Sequence, residues 1–198
     1  MSRPDTIYKT GFTLVELAIV LVIIGIILGA VLKGQDLITS AKVKRAYNQQ
    51  REIFVAFYSY YDKYGRFPGD DNNVSTRWTA SVNGDNDGLI DGGFVYNCIG
   101  GEIGGEESCN AWRHLRLAGI IIGAERINPQ HPYGGAISVA YGTVNNVSAN
   151  WMAFQNIPRD IALILDTQYD DGVYNTGSIQ GSENFEVAGI PVILYFRL

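Results

Sequence analysis

The residues with the clearest capacity for chemistry are the oxygen-bearing side chains of the segment NGDNDGLID at positions 83–91. Asn83, Asp85, Asp87 and Asp91 stand at the first, third, fifth and ninth positions of a calcium-binding loop, and a glycine stands at the sixth. Leu89 occupies the seventh position, where the backbone carbonyl is the ligand. Hard cations bind such oxygens, so the spacing predicts a calcium loop.

The same segment lacks one ligand of the calcium pattern. The twelfth position, where a bidentate glutamate is expected, is Phe94, and a ligand from elsewhere would have to complete the shell. Asp, Asn and Gly also form turns that their own side chains stabilise, so a plain turn is the other open interpretation. A second acidic group, Asp166, Asp170 and Asp171, fits no ligand spacing, and we expect a solvated turn there. Donation of a ligand to the first loop in three dimensions is the other open interpretation of this group.

Groups able to carry out catalysis are sparse in this sequence. The two histidines, His114 and His131, lie outside any histidine-glutamate metal motif, and serine and cysteine occur in no recognisable nucleophile motif. No glycine-rich loop precedes a Lys-Ser or Lys-Thr pair that would cradle a phosphate. We therefore expect that the protein is not an enzyme.

Two cysteines, Cys98 and Cys109, are too far apart for a Cys-x-x-Cys metal or redox motif. They form either one disulfide bridge in an oxidising compartment or two separate buried thiols. The segment between them is rich in glycine and would be ordered by a bridge, which favours the disulfide. Closing a loop of this length contributes about 3 kcal/mol by the chain-entropy estimate, and such bridges persist outside the cytoplasm.

The charge distribution disfavours a nucleic-acid-binding protein. The 198 residues carry a net charge of −5, and residues 67–198 hold six basic against fifteen acidic side chains. Residues 33–66, by contrast, hold seven basic against three acidic ones. Because the acidic carboxyl-terminal region repels a phosphate backbone, we expect no nucleic acid as a partner. The 46% of hydrophobic residues excludes a disordered chain.

An apolar run, FTLVELAIVLVIIGIILGAVL, extends from Phe12 to Leu32 with Glu16 as its single charge. As a helix, these 21 residues would span roughly 30 Å, the thickness of a bilayer core. Arg3 and Lys9 precede the run. The positive-inside rule therefore keeps the leader in the cytoplasm and sends residues 33–198 across the membrane.

The carboxylate of Glu16 is the costly feature of this run. An acidic residue in a membrane-spanning helix costs on the order of 2–3 kcal/mol on insertion scales and calls for a partner. Glu16 lies one helical turn after Phe12. If the chain were cut between Gly11 and Phe12, the new ammonium group at Phe12 would neutralise the carboxylate in the same subunit or in a neighbour. That pairing would make Glu16 an assembly residue.

The order of these residues resembles the class III signal of type IV pilins and of type II secretion pseudopilins. The segment KTGFTLVEL at positions 9–17 combines a glycine, the phenylalanine after it, a glutamate one turn later and the start of an apolar run. The resemblance implies that a prepilin peptidase cleaves between Gly11 and Phe12. It also implies methylation of the new amino group of Phe12 and a role of Glu16 in setting subunit register.

The same resemblance implies a place of action and a set of partners. It implies a single-pass precursor in the bacterial inner membrane, and then a helical filament of this subunit or of other pilins or pseudopilins, in the periplasm or outside the cell. The prepilin peptidase and an inner-membrane assembly platform would be further partners. The motif does not separate a pilus, or fimbrium, from a secretion pseudopilus, nor a major from a minor subunit.

A membrane-tethered protein of another class is the alternative. A single-span anchor would carry an extracytoplasmic binding or enzymatic domain, keep its leader and act alone. The carboxylate of Glu16 inside the apolar run disfavours this alternative.

Helical periodicity continues beyond the membrane run. Apolar residues recur at three- and four-residue steps from Leu37 to Tyr61, including Phe54, Phe57 and Tyr58, and we expect this stripe to pack on a core. A glycine directly after Tyr64 and a proline shortly after it predict the end of the helix. Together with the apolar run, the pattern predicts one helix of about fifty residues.

Residues 67–198 alternate short apolar runs with turn clusters, which predicts a small antiparallel sheet. We expect strands at 137–143, 150–156 and 190–197, a short helix at 110–122 capped by Ser108, and a helix or a strand at 159–167. The predicted fold class is α+β, a long amino-terminal helix packed on a small antiparallel sheet, as in pilins. The predicted parts are a leader at 1–11, a transmembrane and filament-core helix at 12–32, an amphipathic helix at 33–66 and a globular head at 67–198.

Overall fold

The computed structural model describes residues 11–79, 81–99, 106–123, 125–187 and 189–198. The predicted leader lies outside the described residues except for Gly11, as do the glycines at 100–105. Along the chain, the boundary between two compact units falls between Ala41 and Lys42. This boundary lies inside a single helix, α1, at Leu14–Tyr64.

Helix α1 confirms the predicted length and end of the amino-terminal helix. It contains 51 residues and ends at Tyr64. Gly65 follows in a left-handed conformation (φ 72°), and its N–H donates to the carbonyl of Tyr61 at 2.7 Å. Glycine adopts this conformation without steric cost, so the helix ends at the position that the glycine marks.

In the amino-terminal unit, whose described residues are 11–41, no residue is buried. Large apolar side chains are open to the surroundings, for example Val15 at 67% exposed and Ile26 at 68%. Among the described residues, α1 is the one helix long and apolar enough to cross a membrane, and the chain covers none of its most apolar window. This surface requires cover from lipid or from another chain.

In the carboxyl-terminal unit, residues 42–198, α1 buries one face in a core. The buried residues recur at helical spacing: Val43, Ala46, Ile53, Ala56, Phe57 and Tyr60. The predicted stripe is therefore right for Phe57 and wrong for Phe54, Tyr58 and Tyr61, which are 36%, 40% and 45% exposed. Each of these three follows a buried residue by one position, which turns it about 100° around the helix, away from the core.

Four antiparallel strands in the spatial order β1-β2-β4-β3 form the sheet of this unit. Their bounds are β1 Ile137–Val144, β2 Val147–Ile157, β3 Ile179–Gly181 and β4 Val192–Arg197. Asn145 and Asn146, both left-handed (φ 43° and 69°), make the two-residue turn between β1 and β2. The three predicted strands and the α+β class are confirmed, and Pro191 directly precedes β4, where a proline removes no ladder bond.

Within the described segments, shorter helices accompany the sheet: α2 at Val74–Arg77, α3 at Glu107–Leu117 and α4 at Arg159–Tyr169. The structure resolves the segment that the sequence left open, 159–167, as a helix. Ile161, Ala162 and Leu165 are the apolar residues that α4 buries, at spacings of one and three that suit a helical face.

Helix α3 differs from its prediction at both ends. Ser108 is not its cap, because α3 starts directly after Glu106 and Ser108 is buried inside the first turn. The helix ends at Leu117 rather than at residue 122, since Gly119 adopts a left-handed conformation (φ 71°). The N–H of Ile120 then donates to the carbonyl of Leu115 at 3.0 Å, the reverse turn that commonly closes a helix at a glycine.

A buried carboxylate joins the end of α1 to the segment that follows it. Asp71 is fully buried, accepts a hydrogen bond from the Tyr60 hydroxyl at 2.7 Å and forms an ion pair with Arg77. A second guanidinium, that of Arg66, lies 3.8 Å from the Asp71 carboxylate. Burial raises the pKa of Tyr60, so its hydroxyl keeps the proton that it donates. A buried charge with both an ion pair and a hydrogen bond is tolerated in a core.

His114 of α3 is buried as a neutral imidazole. Its Nδ1 accepts the N–H of Gly69 at 2.9 Å, and its Nε2 donates to the carbonyl of Val82 at 3.0 Å. Protonation of Nδ1 would place two donors against each other at Gly69. Burial lowers the pKa of His114 to about 4.

Acidification should therefore destabilise the fold through His114. The unfolded chain takes up this proton near pH 6.5 and the folded imidazole only near pH 4, so stability present above pH 6.5 is lost as the pH falls through that window. The loss amounts to about 3 kcal/mol, or about 1.4 kcal/mol per pH unit. Urea unfolding of the full chain in detergent, followed by tryptophan fluorescence across this window, measures it.

The matched variant is His114→Gln, which has no group that titrates in this window. It should be less stable than the natural chain at neutral pH, because two hydrogen bonds are disturbed, and its stability should fall less steeply with acid. Equal pH slopes for the two chains would contradict the assignment.

Candidate functional site

The amino-terminal end of α1 is held by a local exchange of hydrogen bonds. Gly11, Phe12 and Thr13 precede the first helical residue and are exposed. The N–H and the hydroxyl of Thr13 both donate to Oε2 of Glu16 at 2.8 Å, and the N–H of Glu16 donates to Thr13 Oγ1 at 3.2 Å. This is a capping box, in which two side chains satisfy backbone N–H groups that have no partner in the helix.

The capping box gives Glu16 a structural partner that the sequence analysis missed. The signal was present, because a threonine three residues before a glutamate at the start of an apolar run is typical of such a box. Both bonds from Thr13 end on Oε2, so Oε1 is not used by the box. Pairing of Glu16 with an ammonium group at Phe12 stays a prediction.

The acidic loop, residues 83–91, brings together three of its five predicted calcium ligands. Asp85, Asp87 and Asp91 each place a carboxylate oxygen within 4.8 Å of the other two. Within the loop, Asp85 accepts the N–H of Asp87 at 3.3 Å, and Asp87 accepts the N–H of Leu89 at 2.8 Å. Asn83 is engaged elsewhere, because its Oδ1 accepts the N–H of Ser75 at 2.8 Å.

Two further carboxylates, absent from the sequence prediction, hold the acidic loop from outside. Glu107, in the first turn of α3, accepts the N–H of Asp85 on Oε1 and that of Asp91 on Oε2, both at 3.0 Å. Asp70, nearly fully buried, accepts the N–H of Asp87 at 2.9 Å and that of Gly88 at 3.1 Å. Burial raises the pKa of both the Asp70 and the Glu107 carboxyl groups.

Asp70 and Glu107 form a second group of carboxylates together with Asp85 of the acidic loop. One carboxylate oxygen each of Asp70, Asp85 and Glu107 lie within 4.8 Å of one another. Phe94, at the twelfth position of the calcium pattern, instead packs its ring edge-on against Tyr195 at 5.3 Å between centroids. The twelfth position of the pattern therefore supplies no carboxylate, whereas Glu107 of α3 places one against the loop.

Glycines permit the close approach of these groups. A side chain at position 84 would collide with the Glu107 carboxylate and with the backbone of Gly69. At the sixth loop position, Gly88 has φ 90°, a conformation that favours glycine. The loop backbone can therefore lie directly against Asp70 and Glu107.

The disulfide predicted between Cys98 and Cys109 is present. The two Cα atoms are 5.5 Å apart and both cysteines are buried. Cys109 lies two residues after Glu107 in α3, and the N–H of Ser108 donates to the carbonyl of Asp91 at 3.0 Å. The bridge therefore ties the start of α3, with its carboxylate, to the segment that follows the acidic loop.

Both histidines have a ring nitrogen that accepts a backbone N–H and another in contact with a backbone carbonyl. His131 Nε2 lies 2.7 Å from the carbonyl oxygen of Gln155, and its Nδ1 accepts the N–H of Tyr133 at 3.3 Å. His114 makes the equivalent pair of bonds to Gly69 and Val82. Each imidazole thus links two backbone segments.

Comparison with known proteins bears on the amino-terminal end. Residues 8–32 match a family model described as the prokaryotic N-terminal methylation motif. No curated protein and no solved structure matches the chain. The match includes Gly11, Phe12 and Glu16, so the resemblance found in the sequence is confirmed for this segment. The chain carries the prepilin signal of type IV pilins and pseudopilins, on a helix suited to a membrane-anchored bacterial protein.

Proposed function

We propose that this chain is a structural subunit of a type IV pilus or pseudopilus filament, made as a membrane precursor and assembled through α1. The observation that carries the proposal is a methylation motif at residues 8–32 on a helix whose apolar side chains from Leu14 to Leu32 are left exposed by the described part of the chain. A plain membrane anchor accounts for the apolar surface but not for the motif. A filament of like subunits accounts for both, since neighbouring helices replace lipid around α1.

In this proposal, a prepilin peptidase cleaves the bond between Gly11 and Phe12, and the new amino group is methylated. The geometry of the segment suits cleavage. Both residues are exposed and precede Leu14, the first residue of α1. A protease needs an extended, accessible substrate, and no helical turn has to open to present this bond.

The proposed role of Glu16 follows from the difference between lipid and filament. Lipid tails are as apolar as leucine, so contact between apolar helices alone gives little reason to leave the bilayer. A carboxylate in lipid is costly, and pairing with the ammonium of Phe12 in a filament removes that cost. Cleavage thus creates the partner that favours assembly, and the Oε1 atom left unused by the Thr13 box is available to it.

The location proposed for the carboxyl-terminal unit is the periplasm or the cell exterior. Arg3 and Lys9 before the apolar run favour a cytoplasmic leader. The Cys98–Cys109 disulfide agrees with an oxidising compartment for residues 42–198. The inner-membrane assembly platform would then act on the membrane-embedded part of α1.

We further propose that the protein has no catalytic activity and that the acidic loop binds calcium. Three exposed carboxylates, those of Asp85, Asp87 and Asp91, lie close enough to share one ion, and the donors are all oxygen, as calcium prefers. Glu107, which forms a second carboxylate group with Asp70 and Asp85, is the proposed ligand from outside the loop. The backbone carbonyl of Leu89 is the remaining candidate from the sequence pattern. The alternative function, a tethered domain with an uncleaved leader, needs neither the motif nor Glu16.

Replacing Glu16 tests the assembly mechanism. The Glu16→Ala variant should insert into the membrane and be cleaved like the natural chain, but its incorporation into filaments should fall about tenfold or more, because the ammonium of Phe12 loses its partner. Sheared filaments and membranes are compared by immunoblotting. The matched control is Asp36→Ala, which removes a carboxylate from the same helix outside the apolar run and should assemble normally. Normal incorporation of Glu16→Ala would overturn the role assigned to Glu16.

Calcium binding by the acidic loop is tested by two substitutions with opposite expectations. Asp87→Asn should weaken calcium binding about tenfold, since it removes a charge from the ligand group. Asn83→Ala should leave binding nearly unchanged, because that amide oxygen is held by the N–H of Ser75. Calorimetric titration of the full chain in detergent with calcium chloride gives both values. An equal loss in both variants would mean that the loop binds calcium with the ligands of the sequence pattern instead.

A further inference from the structure

Three carboxylates come together at the carboxyl end of α4. Asp166, Asp170 and Asp171, called here the Asp166 cluster, each place an oxygen within 4.8 Å of an oxygen of the other two. The sequence predicts a solvated turn at this place. That expectation is wrong for Asp166, which is fully buried on the core side of α4.

The carboxylate of Asp166 lacks the hydrogen bonds that a buried charge requires. Its Oδ2 has no hydrogen-bond partner among the described residues, and its Oδ1 accepts only a long bond, 3.4 Å, from the N–H of Gly172. Burial raises the pKa of Asp166 to about 6. Burying a carboxylate oxygen without a hydrogen-bond donor is costly unless a positive charge lies next to it.

The electrostatic surroundings of Asp166 are negative. The charges that act on it are those of Asp171 and Asp170, and both disfavour its ionised form. The last turn of α4 contains no basic residue. The carboxyl end of a helix also carries a partial negative charge. This charge adds to the repulsion among the three carboxylates and favours a bound cation.

The other two carboxylates are fixed in place before any ligand arrives. Asp170 accepts the N–H groups of Ser178 and Ile179, at 2.5 and 2.7 Å, where β3 begins. Asp171 accepts the N–H of Val173 at 2.9 Å and the hydroxyl of Thr176 at 2.6 Å. Prior ordering of these groups lowers the entropic cost of binding an ion.

The approach of Asp170 to this turn depends on a glycine. Gly177 has φ 74°, and a side chain there would collide with the Asp170 carboxyl group. The segment between α4 and β3 therefore closes around the three carboxylates rather than spreading them into solvent.

We propose that Asp166, Asp170 and Asp171 bind one calcium ion, at a site separate from the acidic loop. The donors are oxygens that carry three negative charges, which suits a hard cation, and calcium accepts irregular oxygen shells more readily than magnesium does. The ion gives the unpartnered oxygen of Asp166 its partner and neutralises the end of α4. This site stands independently of the filament proposal.

The test uses the full chain in detergent, stripped of metal with a chelator and titrated with calcium chloride at neutral pH. Asp166→Asn should lose the binding of one calcium ion or weaken it about tenfold or more, while Asp87→Asn, in the acidic loop, should keep that ion. Thermal unfolding provides the second measurement. Calcium at about 100 times its Kd should raise the Tm of the natural chain by about 5–10 °C.

The sign of the stability change separates a ligand from a structural residue. Without calcium, Asp166→Asn should be as stable as the natural chain or more so, because a buried charge is removed, and the part of the calcium-induced rise in Tm that comes from this site should disappear. A variant that is less stable without calcium, yet gains as much from calcium as the natural chain, would overturn the proposal.

A second variant covers the case in which Asp166→Asn does not fold. Asp171 is exposed, and Asp171→Asn should keep the fold while weakening the same calcium ion about threefold or more. Unchanged calcium affinity in this variant, or a natural chain that binds calcium only through Asp87, would overturn the proposal and leave the acidic loop as the calcium site.

Discussion

A carboxylate removed from water must find a partner, and this constraint organises the molecule. Asp71 is paired with Arg77 and the Tyr60 hydroxyl, and these bonds connect the end of α1 to the segment beyond it. Asp70 and Glu107 accept backbone N–H groups instead, and so hold the acidic loop. Each solution places a negative charge against a donor that the fold has already positioned.

The same constraint applies to Glu16, for which the surrounding solvent would be the lipid bilayer. Along α1, no residue from Leu14 to Ala41 is buried by the part of the chain that the structure describes, whereas from Val43 onward one face of the same helix is buried in a core. The same helix therefore packs on a core in the carboxyl-terminal unit and exposes its apolar side chains in the amino-terminal unit. A carboxylate inside that surface is costly in lipid, and in the proposed filament a neighbouring subunit would supply its partner.

Local patterns predicted most of the fold because their physical causes are local. A glycine ends α1 next to Tyr64, and short apolar runs between turn residues mark β1, β2 and β4. The motif at 8–32 is recognisable because its glycine, phenylalanine and glutamate stand close together in the sequence. The Asp70 and Glu107 contacts were not predictable, since both residues reach the acidic loop from distant positions. The burial of Asp166 depends likewise on the packing of α4, and Asn83 fits the calcium pattern by type but is held by Ser75.

The central claim, that this chain enters the filament pathway through cleavage before Phe12, is tested most directly by mass spectrometry. Intact mass and amino-terminal peptides are measured for the protein from membranes of a host with and without prepilin peptidase. We expect a peptidase-dependent amino terminus at Phe12 that carries one added methyl group. An amino terminus at Met1 or Ser2 in both hosts would contradict the claim and favour a tethered domain that acts alone.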